Sequence, residues 1–123
     1  MQHSEGFLKI VNDAKLRIQE ISPEEAQRHL ESSRPLHFID VREDHEWSQG
    51  RAKGAKHLGK GIIERDIEAQ VPDHSAEIIL YCGGGYRSAL AADALQKMGY
   101  TQVFSMSGGY KGWVSNGLPT VQD

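Results

Sequence analysis

The sequence predicts an α/β fold in which a central, mainly parallel sheet is flanked by helices on both faces. From about residue 20 onward, short apolar runs of strand length alternate with segments of helical period, and parallel strands need helical crossovers between them. The run Glu77-Ile-Ile-Leu-Tyr81 is apolar without alternation, as in a strand covered on both sides. A chain of 123 residues is long enough for one hydrophobic core and too short for two.

Taken in order, Phe7, Val11, Ala14 and Ile18 stand at helical spacing, so residues 7–18 read as an amphipathic helix. Residues 1–19 form an N-terminal helical extension, and residues 20–123 the domain proper. Ser22-Pro-Glu-Glu25 supplies an N-cap serine, a proline at the first helical position and acids in the first turn, opening a helix to about residue 31. Residues 36–41 read as a strand, 43–49 as a charged helical turn and 55–58 as a short strand. Ile62, Ile63 and Ile67 mark a helix over 61–70. After the strand 77–81, the positions of Leu90, Ala91, Ala94, Leu95 and Met98 mark a helix over 86–98, closed by Gly99. Residues 102–106 form a further strand and 108–116 a last short helix.

The net charge of -3 offers no field for nucleic acid or for an anionic membrane. No apolar run approaches the ~20 residues of a membrane span. The N-terminus lacks the basic start, apolar stretch and cleavage site of a secretory signal, so a cytoplasmic location is expected. A single cysteine forms no intramolecular disulfide. The six histidines make no pair at ligand spacing and Cys82 has no CxxC partner, so no metal is expected. His57, near a strand end, reads as a surface or packing histidine.

Ligands of open α/β sheets bind beyond the carboxyl ends of the strands, where Asp40, Cys82 and Ser107 are expected. Cys82 follows the buried strand directly and precedes a helix directly. Gly83, Gly84 and Gly85 let the chain curl tightly enough to aim successive N–H groups inward, and the helix N-terminus completes an anion cradle. Such a cradle stabilises negative charge on sulfur and on a group delivered to it. Tyr86 and Arg87 open the helix, Arg87 adding a permanent charge with a rigid fork of donors. Ser88 either caps the helix or hydrogen-bonds the sulfur. The plainer alternative is an inert buried cysteine with Arg87 in a surface ion pair. Trp113, in Ser107-Gly-Gly-Tyr-Lys-Gly-Trp113, reads as a core anchor.

These residues together resemble the rhodanese family of single-domain sulfurtransferases, over roughly residues 20–119. Three blocks carry the resemblance in order: Asp40-Val-Arg-Glu43 with Glu46, Trp47 and Gly50; Cys82-Gly-Gly-Gly-Tyr-Arg87-Ser88; and Gly108-Gly109 through Trp113 to Gly117-Leu-Pro119. The resemblance implies a rhodanese-like fold for residues 20–123. It implies that Cys82 takes sulfane sulfur from a donor such as thiosulfate, as a persulfide, and passes it to cyanide or a thiol. Gly83, Gly84, Gly85, Tyr86, Arg87 and Ser88 would then bind substrate, with Asp40 and Arg42 in support through a hydrogen bond or ion pair, and no cofactor. The chain departs from the family at Gly50-Arg-Ala-Lys-Gly-Ala55 and at Leu58-Gly59, which bears on the local turn. Arg51, Lys53 and Arg65 read as surface charges.

Two other functions compete. Cysteine phosphatases and arsenate reductases also hold a thiolate under N–H groups, but wrap a tetrahedral oxyanion with a longer loop. Four residues separate Cys82 from Arg87 here, a ring that suits one sulfur atom better. The other is a sulfur-relay or docking module, for which the helix before residue 20 would supply the surface unless Phe7, Val11 and Ile18 pack on the domain itself.

Overall fold

The structure, a computed structural model, describes residues 2–122. Its elements in chain order are α1 (Glu5–Lys15), β1 (Gln19–Ile21), α2 (Pro23–Glu31), β2 (His37–Asp40), α3 (Asp44–Ser48), β3 (Arg51–Ala52) and β4 (Lys56–His57). Then come α4 (Ile63–Gln70), β5 (Glu77–Tyr81), α5 (Tyr86–Lys97), β6 (Gln102–Met106), α6 (Gly109–Ser115) and β7 (Thr120–Val121). The main sheet has the order β1-β6-β5-β2-β4, and every neighbouring pair is parallel.

The unbroken apolar run of β5 has its cause in this order, because β5 is the middle strand. Alternate side chains of a strand point to opposite faces. Ile78 and Leu80 join the core under α4 and α5, with Ile63, Ile67, Ala91, Ala92 and Leu95. Ile79 and Tyr81 join the core under α2 and α6, with Phe38, Ala26 and Trp113. Helices therefore cover both faces. Cys82 continues the alternation and belongs to the α5 side.

Ser22 and Glu25 form the capping box that opens α2, with Pro23 beside it, as the local sequence predicts. Trp113 is fully buried and donates its indole N–H to the carbonyl of Pro119 at 2.7 Å. The helix expected over 7–18 begins at Glu5 and ends at Lys15, and the chain from Gln19 enters the sheet as β1 instead. Only Ile21 of β1 is buried, so this edge strand has no apolar run to announce it. The departure around Arg51 has a physical counterpart: β3 pairs antiparallel with β7 in a two-stranded ribbon. Strands of two residues leave no periodicity to read.

One contact fixes the chain after β5 against the chain after β6. The N–H groups of Tyr110 and Lys111, in the first turn of α6, donate to the carbonyls of Cys82 (2.7 Å) and Gly83 (3.1 Å). Approach this close needs a glycine at 109. A Cβ there would stand 2.5 Å from the Cys82 carbonyl oxygen and 2.7 Å from the Gly83 carbonyl carbon, and its φ is +55°. Gly117 has a comparable φ of +69° but open space around it. Gly109→Ala should therefore destabilise the protein by about 3 kcal/mol or more, conformation and overlap together. Gly117→Ala should cost only the conformational part, about 1–2 kcal/mol. Urea unfolding of the two variants checks this, and equal losses would contradict the packing argument.

Candidate active site

Cys82 is the first residue beyond β5, and only 1% of its surface is exposed. Its Sγ accepts hydrogen bonds from the N–H of Gly85 at 3.1 Å and from the N–H of Ser88 at 3.3 Å. Gly85 reaches this position with a φ of +97°, a left-handed conformation that favours glycine. The sulfur thus lies over the first turn of α5, where unpaired N–H groups favour negative charge. Behind it, the Cys82 thiol lies 3.5 Å from Ser88 Oγ, which shares a 2.8 Å hydrogen bond with Ser105 Oγ. Both serines are fully buried. Sequence reasoning named Ser88 for this contact and missed Ser105, one polar residue inside a strand.

Arg87 gives two guanidinium nitrogens to Glu46, at 2.8 and 3.1 Å. This bidentate pair holds the Glu46 carboxyl at about 2, below its ordinary value of 4.5, against the opposing effect of partial burial. The pair leans on the loop, since a Cβ on Gly83 would meet Arg87 Nη2 at 3.1 Å. The structure thus places Arg87 at the loop and in an ion pair together. Its partner Glu46 stood in the matching sequence block, but nothing in the sequence gave it a role.

Asp40 and Arg42 form a second, deeper pair. Asp40 is wholly buried; its carboxylate accepts from the backbone N–H of Arg42 at 2.9 Å and from the Arg42 guanidinium at 2.8 Å. Arg42 also donates to the carbonyl of Gly50 at 2.7 Å, and its guanidinium lies 4.3 Å from the Tyr110 ring centroid. The pair therefore ties β2, the turn at Gly50 and α6 together beside the Cys82 loop. His57 donates from Nε2 to the Arg42 carbonyl at 2.8 Å, and its ring stacks on Trp47. Arg51 lies over the same Trp47 ring at 4.4 Å. Arg65 is exposed and paired with Asp66.

Cys82 opens into a cleft of about 890 Å³, lined also by Gly83, Gly84, Tyr86 and Arg87. Three further lining residues, His3, Phe7 and Lys111, were not legible as site residues. The first two lie on the N-terminal segment, far from Cys82 in sequence, and Lys111 reads as one more surface lysine. A neighbouring cleft of about 440 Å³ contains Arg42, His57, Lys60 and Ile62 and shares Arg87 with the first. Among the described residues, no group of three His, Cys, Asp or Glu side chains could hold a metal ion, and no helix is long and apolar enough to cross a membrane.

The family model of the rhodanese-like domain matches residues 22–116. The chain is 34% identical over 100 residues to the thiosulfate sulfurtransferase GlpE of Actinobacillus succinogenes, covering 81% of this chain and 87% of that protein. It is 32% identical over 99 residues to the "Probable adenylyltransferase/sulfurtransferase MoeZ" of Mycobacterium tuberculosis, of which it spans 25% while 80% of this chain is covered. Among solved structures, the polysulfide-sulfur transferase homodimer of Wolinella succinogenes superposes with a TM-score of 0.82 at 27% identity, covering 96% of this chain and 88% of that one. A Rhodopseudomonas palustris protein of unknown function, described as a possible tyrosine phosphatase, superposes at 0.81 and 27% identity, covering 97% and 96%. With the sheet order, the cysteine loop and the match over residues 22–116 in agreement, the chain belongs to the rhodanese-like domain family.

Proposed function

We propose that this chain is a sulfurtransferase that moves sulfane sulfur from a donor such as thiosulfate to a thiol or cyanide, through a persulfide on Cys82. The observation that carries the proposal is the pair of N–H groups, of Gly85 and Ser88, aimed at Cys82 Sγ. In the first half-reaction the Cys82 thiolate attacks the outer sulfur of thiosulfate. A new S–S bond forms to Cys82, the old one breaks, and sulfite leaves with the bonding electron pair. In the second, an acceptor thiolate attacks the outer sulfur of the persulfide and the electron pair returns to Cys82 Sγ. The Cys82 thiolate that attacks in the first step, and is re-formed in the second, faces the same two donors, which need no rearrangement between steps.

Gly83 and Gly84 leave the rim of the loop open, and Tyr86 and Arg87 border the approach. Arg87 has its charge largely matched by Glu46, so in this reading it shapes the loop and adds a fixed donor rather than a bare cation. Asp40 and Arg42 support the loop from behind. An acceptor could be a small thiol or a protein thiol; a relay to a protein would share the first half-reaction and differ in the second.

The structural similarity to a possible tyrosine phosphatase raises one other chemistry. Four residues lie between Cys82 and Arg87, and the buried sulfur already takes two of the loop's N–H groups. That arrangement favours a single atom over a tetrahedral phosphate. Hydrolysis of 4-nitrophenyl phosphate should therefore be no faster with the wild type than with Cys82→Ser.

Incubation with thiosulfate should add one sulfur atom, ~32 Da, to the intact protein, and cyanide should remove it. Cys82→Ser should show neither change. A wild-type mass that stays constant with Cys82 reduced would refute thiosulfate as donor, and repetition with polysulfide would then find or exclude another.

The Arg87–Glu46 pair also sets an acid limit on the loop. Glu46 titrates at about 2 when folded against an ordinary 4.5, so its contribution is complete above about pH 5 and fades as pH falls from 4.5 toward 2. Glu46→Gln should cost about 1–2 kcal/mol at pH 7, because the half-buried pair is partly screened by solvent. The difference from wild type should shrink steadily below pH 4.5 and disappear only below about pH 2. Urea unfolding across this range tests the sign, and a gap that widened in acid would contradict it.

A further inference from the structure

The helix α1 lies outside the segment that matches the family, which begins at residue 22, yet its N-terminal end borders the Cys82 cleft through His3 and Phe7. Three rings meet there. The His3 ring centroid is 4.4 Å from that of Tyr86 and 5.2 Å from that of Phe7, and Phe7 is 6.3 Å from Tyr86. These separations are those of interacting aromatic pairs. Tyr86 opens α5 directly after the Cys82 loop, so the three rings make one wall from the N-terminal segment to the loop.

The wall is held in place from the far end of the same helix. Val11 and Ala14 are buried, and α1 packs on α5. Just beyond α1, Arg17 makes a bidentate ion pair with Asp93 of α5 at 2.9 and 2.8 Å, and Gln96 donates to the Arg17 carbonyl at 3.0 Å. Lys15 Nζ lies 5.2 Å from the Tyr86 ring centroid. A helix fixed so firmly at its C-terminal end carries His3 and Phe7 to a defined place.

The cleft is also far larger than the small anions of the proposed reaction need. About 890 Å³ stands within the range of about 300–1,000 Å³ typical of sites for organic ligands. Thiosulfate or cyanide would fill a small part of it. The cleft's charged lining is balanced, Lys111 and the paired Arg87 being matched by Glu43 and Glu46, so the rings are its distinguishing feature. We infer that His3, Phe7 and Tyr86 form an acceptor subsite, which selects a low-molecular-weight thiol that carries an apolar or aromatic body.

This inference rests on the proposed persulfide chemistry and specifies its second half. The thiolate of the acceptor attacks the outer sulfur of the Cys82 persulfide, the S–S bond breaks, the electron pair returns to Cys82, and the acceptor leaves as its own persulfide. The body of the acceptor lies on the rings while its sulfur reaches the loop. The subsite would combine two rings from the N-terminal segment, outside the family match, with one, Tyr86, from the shared domain.

Two thiols that differ only by a phenyl ring, 2-mercapto-3-phenylpropanoate and 2-mercaptopropanoate, test the subsite. With saturating thiosulfate, sulfite release gives kcat/KM for each acceptor, which in a double-displacement reaction reports the second half alone. The wild type should prefer the phenyl acceptor, and the double variant His3→Ala/Phe7→Ala should lower that preference about tenfold, the equivalent of about 1.4 kcal/mol of ring contact. His3→Phe, which keeps a ring, should retain it. Ile10→Ala, on the exposed face of the same helix, should leave both rates as they are. A wild type without preference, or a double variant that slows both acceptors equally, overturns the subsite. Sulfur loading of Cys82 followed by intact mass in every variant separates the two levels. Loading without preference removes only the subsite, whereas a wild type that does not load removes the persulfide reading beneath it.

Discussion

The hydrogen bond from the Tyr110 N–H to the Cys82 carbonyl, 2.7 Å long, joins the two loops that end the central strands. Its neighbour, from Lys111 to Gly83, makes the contact two-pronged. Together they pin the start of the cysteine loop against α6, and from there the chain turns at Gly85 and enters α5, where the N–H groups of Gly85 and Ser88 face the sulfur. A peptide presents its N–H and C=O on opposite sides, so fixing the Cys82 and Gly83 carbonyls also fixes the N–H groups of Gly83 and Gly84. The start of the loop is therefore anchored from outside it, by the helix that follows β6.

The same constraint accounts for where the rigid polar pairs lie. Asp40 and Arg42 are almost entirely removed from solvent, a costly position that removing either partner would make costlier still. Their bonds run to Gly50 and their stacking to Tyr110, so the charge pair braces α6 at the residue that grips Cys82. Arg87 and Glu46 brace the opposite side of the loop at Gly83. The glycine loop, flexible by composition, is thus clamped by two ion pairs and one helix. Its three glycines serve close approach and an unusual turn at Gly85, with mobility removed by the surroundings.

How much of this was legible in the sequence follows from which interactions are local. The buried strand 77–81, the capped helix after Ser22 and the cysteine at a strand–helix junction are encoded by neighbours in the chain, and the structure has them all. The parallel order followed from alternation of elements. β1, with its single buried residue, and the two-residue strands β3 and β7 carried no period and went unseen. In the site, Gly85 and Ser88 were readable because they are close in sequence to Cys82. Glu46, Ser105, Lys111, His3 and Phe7 were not, because each reaches the site only through the fold. A polar residue in a strand or a histidine near the terminus has no local mark that separates it from an ordinary one.

The placement of Cys82 also explains why burial and reactivity need not oppose each other here. The sulfur occupies the core side of β5 by simple alternation, in line with Ile78 and Leu80, and an apolar site alone would disfavour negative charge on it. The N–H groups of Gly85 and Ser88 and the start of α5 oppose that effect at the same atom. Water is kept away from the side of the sulfur that faces the core, while the cleft gives access from the other. In the proposed persulfide, the added sulfur extends the side chain by one bond toward that cleft, away from the Ser88–Ser105 pair behind it. The inner sulfur would keep the cradle's hydrogen bonds and the outer one would meet the acceptor. Strand register thus fixes which face of the sulfur meets the cleft, and the aromatic wall of His3, Phe7 and Tyr86 lines that same cleft.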